Sequence, residues 1–189
     1  KTQYKFLLNV LGSLFSNIPL ENNDEIDFRE LYFNSAKSRV ANMVSYALEK
    51  SNITVPKEIM DMFIRCRKFM LMKDASQFSA TKKLITEFEK QGIDNLLVKG
   101  QFIKDTYPQP DFRVTNDVDI HIKSKDIEKA RTILSSLDYR IIQSTDDLIV
   151  AVQDPFIQFE IHCDNGNFRN STFTENLFSN AKLVDNTNH

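Results

Sequence analysis

Apolar residues in the first ninety positions recur every three or four places, the period of helices that bury one face. The run Phe6 to Phe15, interrupted by Asn9 and Gly12, predicts an amphipathic helix. Phe28, Leu31, Tyr32, Ala36, Val40, Met43, Val44 and Ala47 describe a second, long one. Pro56 follows the loop Ser51-Asn-Ile-Thr and suits the first turn of a third, where its missing N–H costs nothing. From there Ile59, Met62, Phe63, Cys66, Phe69, Met70, Lys73, Gln77, Ala80, Leu84, Ile85 and Phe88 lead to Gly92. A helix of about 35 residues is long for a globular protein, so a break or kink near Asp74 to Ser79 is expected. Its Met and Phe stripe reads as core packing.

From Asp94 the pattern shortens. Asp94-Asn-Leu-Leu-Val98 reads as a buried strand ending at Lys99-Gly100, followed by a helix-like run from Gln101 to Tyr107. Ser124 is a candidate N-cap, with Asp126 and Glu128 in the first turn, for a helix through Ile127, Ala130, Ile133, Leu134 and Leu137. Strands are predicted over 139–143 and 148–152, joined by Ser-Thr-Asp-Asp, and Pro155 opens one more. The layout is α+β: a helical N-terminal lobe over 1–92, then a small α/β lobe over 93–189 with a mixed, mostly antiparallel sheet.

The chemistry concentrates in two strand-like segments. In Arg113-Val-Thr-Asn-Asp117-Val-Asp119-Ile-His121-Ile122, period-two alternation puts Asp117, Asp119 and His121 on one face and Val118, Ile120 and Ile122 on the other. Neighbouring like charges repel unless a cation sits between them, and oxygen donors suit a hard divalent ion such as Mg²⁺. The segment 156–163 alternates likewise, with Glu160 and His162 opposite Phe159, Ile161 and Cys163. If the two strands are neighbours, Glu160 joins Asp117 and Asp119. The plainer alternative is a set of solvated acids on a half-exposed sheet. His121 and His162 either ligate a softer ion, Zn²⁺ or Mn²⁺, or hydrogen-bond the acids from behind. Arg113 either clamps a triphosphate or pairs with Asp111 or Asp117.

Gly100 would let the backbone approach a phosphate closely, with the following amides pointing at it and Lys99 adding a movable charge. In this order, Leu97-Val98-Lys99-Gly100, Tyr107-Pro108, Arg113, Asp117-Val-Asp119-Ile120 and Glu160-Ile-His162 resemble the polymerase-β-like nucleotidyltransferase superfamily, and within it a family of uncharacterised bacterial nucleotidyltransferases. The resemblance covers about residues 28–164. It implies a nucleotidyltransferase-type α/β lobe in which Asp117, Asp119 and Glu160 are catalytic and hold the metal, Mg²⁺ or alternatively Mn²⁺. It also implies that Lys99, Gly100, Gln101 and Arg113 contact the phosphates of a bound NTP. One departure stands out: the superfamily carries Gly-Ser or Gly-Gly at the first motif, whereas this chain has Lys99-Gly100-Gln101.

Composition narrows the remaining classes. With 41% hydrophobic and 26% charged residues over 189 positions, a globular protein is expected, not a disordered one. A net charge of −2 without a basic run argues against a nucleic-acid partner. No apolar stretch approaches the ~20 residues of a membrane span, and the first helix lacks a signal-peptide cleavage site. A cytoplasmic protein is expected, with Cys66 and Cys163 as reduced, buried thiols. Lysine at position 1 and the Asn-rich end Asp185 to His189 read as a piece of a longer chain. The expected activity is metal-dependent transfer of a nucleoside monophosphate from an NTP, with ATP as the default, to a hydroxyl of a small-molecule or protein acceptor. The rival is a binding or scaffold module that retains the fold without turnover.

Overall fold

A computed structural model of the chain describes residues 2–16, 19–20, 26–98, 100 and 102–164. Five helices, α1 (Thr2–Ser13), α2 (Phe28–Lys37), α3 (Ala41–Lys50), α4 (Lys57–Lys90) and α5 (Ile127–Ser136), accompany five strands, β1 (Asn95–Val98), β2 (Val118–Lys123), β3 (Arg140–Ser144), β4 (Leu148–Gln153) and β5 (Ile157–Asp164). Two compact units result. The first contains Lys1–Ser76 and Ile103–Val114; the second contains Gln77–Phe102 and the described residues from Thr115 onward.

In the first unit, Phe6, Leu7, Val10, Leu31, Val44, Leu48, Ile59 and Phe63 form one apolar core. The long helix expected over 28–47 is two helices. Arg39 takes a left-handed φ of 59°, the Ser38 and Arg39 amides cap the carbonyls of Asn34 and Ala36, and the Val40 amide returns to Ser35 O. This is a helix stop in which a non-glycine residue accepts the αL conformation, so no glycine marks it in the sequence. The segment 103–114 belongs to this unit. Lys104, buried, pairs with Asp74, and Asn42 Nδ2 donates to Asp111 O at 2.6 Å.

The helix α4 runs from Lys57 to Lys90 without the break that its length suggests. No proline or glycine lies between Lys57 and Lys90, so nothing interrupts the hydrogen-bond ladder. The run after Gly100 is a five-residue 3₁₀ turn, Phe102–Thr106, instead of an α-helix. Ser124 opens another 3₁₀ turn, and Asp126 takes the cap position of α5.

The second unit is built on a mixed sheet of order β1-β2-β5-β4-β3, in which β2 and β5 run parallel and every other pairing is antiparallel. One face packs Val118, Ile120, Ile122, Ile149, Ala151, Phe159, Ile161 and Cys163 against Ala130, Ile133 and Leu134 of α5 and Leu84 and Phe88 of α4. Since side chains alternate, residues 119, 121, 160 and 162 are turned to the opposite face. The α+β class and the mixed, mostly antiparallel sheet are as the sequence pattern predicts.

Candidate metal centre

The parallel pairing of β2 with β5 sets Asp119 opposite Glu160 and His121 opposite His162. Their neighbours Ile120 and Ile161 are wholly buried on the core face, so a one-residue slip of either strand would drive a carboxylate into that core. Hydrophobic packing thereby fixes the polar register. Asp119 is itself buried, whereas the side chains of Glu160 and His162 keep about a quarter of their surface, 25% and 26%.

His162 sits between the two acids. Its Nε2 lies 3.1 Å from Asp119 Oδ1 and 3.6 Å from Glu160 Oε2. The His121 ring stacks on it at 5.1 Å with 23° between planes, and Gln158 Nε2 donates to Glu160 Oε1 at 3.1 Å. Among the described residues, Asp119, Glu160 and His162 form the group able to hold a metal ion, with one donor atom from each within 4.8 Å of the others. Two oxygens and one imidazole nitrogen, reached by solvent from the Glu160 and His162 side, fit a divalent cation that also takes phosphate or water oxygens.

The structure brings together only part of the set read from the sequence. Asp117 is half-buried just before β2, outside the strand that was expected to carry it and outside the three-residue group. The strand starts at Val118, so alternation does not govern Asp117. Gly100 is buried beyond the end of β1, whose last residue, Val98, pairs with Asp119. Lys99 and Gln101 lie outside the described residues. Arg113 belongs to the first unit, where it ends the 3₁₀ turn Pro110–Phe112. Within that unit it forms no ion pair with Asp111, and its buried Nε has no hydrogen-bond partner among the described residues.

One positioning residue carries no motif. Gln77, 1% exposed on α4, sends Nε2 toward the carbonyls of Thr115, Asn116 and Phe156 at 3.4–3.5 Å, and its Oε1 accepts from Thr115 Oγ1 at 3.1 Å. It therefore ties together the two segments that lead into β2 and β5. The only trace in the sequence is a polar side chain within an apolar stripe.

The two cysteines form no disulfide with one another; Cys163 is buried and Cys66 half-buried. No helix among the described residues is long and apolar enough to cross a membrane.

No curated protein and no solved structure matches the chain. A protein family does, over residues 24–186, a span that contains the strand pair, all three acids and most of the helical part. The match covers most of the chain, and the chain belongs to the family described as uncharacterised nucleotidyltransferase.

Proposed function

We propose that the protein transfers a nucleoside monophosphate from an NTP, by default ATP, to a hydroxyl group of a small-molecule or protein acceptor. The observation carrying this reading is the side-by-side placement of Asp119 and Glu160 across β2 and β5 in a chain of nucleotidyltransferase family. Asp119, Glu160 and Asp117 would hold a divalent cation, whose charge would offset the charge developing on the leaving group. Asp119, buried and held by register, is the fixed ligand, and Asp117, on the segment just before it, takes the metal-binding role that the resemblance implies. Glu160, more exposed, either shares the ion or accepts the proton of the attacking hydroxyl. The acceptor oxygen forms its bond to the α-phosphorus while the α–β phosphoanhydride breaks, and pyrophosphate leaves with the electron pair. Lys99, Gly100 and Gln101 follow β1 in sequence, and with Arg113 they take the phosphate-binding roles that the resemblance implies.

Incubation with α-labelled ATP, Mg²⁺ and a cell extract should give a labelled product and pyrophosphate. Asp117→Ala and Glu160→Gln should abolish both. Nucleotide binding without labelled product from any of the four NTPs would favour the scaffold reading, which the absence of serine at the first motif already supports.

A further inference from the structure

We infer that His162 is itself a metal ligand, and that the centre prefers divalent transition ions, Mn²⁺ among them, over Mg²⁺. This rests on the metal-dependent reading above and specifies its ion. Two donors bound to one ion at ~2.1 Å stand about 3.0 Å apart at an octahedral right angle and about 3.4 Å apart at the tetrahedral angle. Nε2 of His162 lies 3.1 Å from Asp119 Oδ1 and 3.6 Å from Glu160 Oε2. The first separation falls within the spacing of donors that share an ion and the second lies just above it, so a cation can enter between the three atoms once Glu160 moves slightly closer.

Nε2 and Asp119 Oδ1 stand at hydrogen-bond distance, and a bound cation would take the place of the proton between them. Here the nitrogen faces both acids at once. The stacked His121 ring supports the His162 ring plane, and the strand register sets the height of both rings on the sheet. Imidazole adds little to the binding of Mg²⁺, which favours oxygen, and much to the binding of first-row transition ions. A nitrogen donor in this position therefore works as a selectivity element. Because Asp119, Glu160 and His162 all come from one sheet, the rest of the coordination sphere is left for Asp117, phosphate oxygens and water.

The test uses the whole protein without nucleotide and reads binding, not turnover. Mn²⁺ titration followed by electron paramagnetic resonance should show a bound ion that Mg²⁺ displaces only at large excess. Pulsed measurements should show ¹⁴N coupling from a directly bound imidazole. In His162→Ala the coupling should vanish and Mn²⁺ affinity should fall by at least the ~10–100-fold seen when a ligand's partner is lost, while Mg²⁺ affinity changes far less. His121→Ala should weaken Mn²⁺ binding and keep the ¹⁴N signal. Bound Mn²⁺ with no ¹⁴N coupling, or an unchanged Mn²⁺ to Mg²⁺ ratio in His162→Ala, overturns the inference and leaves the metal-dependent reading standing. Failure of the wild-type protein to bind any divalent ion, with or without NTP, overturns both.

Discussion

Asp119 and Glu160 are register partners across the parallel strand pair β2 and β5, so two carboxylates from segments far apart in sequence stand side by side on one sheet face. Their repulsion is set against the burial of Ile120 and Ile161 behind them, both with no exposed surface. Burying such a side chain is worth about 1.5–3 kcal/mol, enough to hold like charges together without an ion. The fold can thus keep its site ready before a cation arrives.

Replacing Asp119 should separate binding from folding. Asp119→Ala removes one of the crowded charges and also the oxygen 3.1 Å from His162 Nε2, two effects of opposite sign on stability. The net change should stay within about 1 kcal/mol. Cation-dependent NTP binding, followed by calorimetry, should be lost. Retention of wild-type affinity would remove Asp119 from the centre.

Asp111 in the first unit should give a pH signature of its own. Burial pushes its carboxyl above the usual aspartate range, partly offset by the Asn42 amide, while nearby Asp74 raises it further and Arg67 lowers it. The folded state thus holds the proton more tightly than the unfolded chain. The associated stability is complete below the ordinary aspartate value near ~3.9 and is lost as pH rises through the raised folded value. Asp111→Asn stays neutral throughout, so its stability relative to wild type should increase from about pH 4 upward and then level off. Denaturant titrations at several pH values measure this, and parallel curves for the two proteins would contradict it.

Phe159 has no exposed surface and meets the Tyr139 ring edge-on at 5.3 Å. It lies one residue before Glu160 and faces the core. Phe159→Ala should cost about 3–5 kcal/mol, seen as a large drop in the denaturation midpoint. A loss under about 1 kcal/mol would mean that the site is not closed by that core.

The two thiols should differ in reactivity. Cys163 is buried, and its Sγ donates to Asp146 O at 3.4 Å, so a thiol reagent should label it only as fast as the second unit opens. Cys66 is half-buried, and burial pushes its thiol up, which lowers the thiolate fraction at neutral pH. It should label faster than Cys163 and slower than a free thiol. Rapid labelling of Cys163 would mean that the core and polar faces of β5 are exchanged.

The sheet was legible because its signal is local. Alternation in 118–122 and 157–163 assigns the faces without knowledge of the partner strand, and the structure keeps that assignment at Ile120, Ile161 and Cys163. Boundaries set by tertiary contacts were less legible. The stop at Arg39 relies on a left-handed non-glycine residue, and Asp117 falls outside β2 because strand pairing begins one residue later. The role of His162 was left open, since one residue pattern fits ligation and support alike. Gln77 was hidden among helix-stripe residues because its partners are backbone carbonyls, which carry no sequence signature.

Gln77 is where a structural and a functional role can be told apart. Gln77→Leu keeps the volume but removes the amide that reaches Thr115, Asn116 and Phe156, and it leaves the buried Thr115 hydroxyl without its acceptor. Loss of such a buried partner costs about 1–3 kcal/mol, so the denaturation midpoint should fall. If Gln77 only stabilised the second unit, the folded fraction well below that midpoint would bind cation like the wild type. Because its partners are the segments entering β2 and β5, we expect Mn²⁺ affinity to fall in the folded variant as well, as the spacing of Asp119 and Glu160 loosens. Affinity should recover in part when Gln77→Glu restores an acceptor for Thr115. Unchanged affinity in folded Gln77→Leu would confine this residue to stability alone.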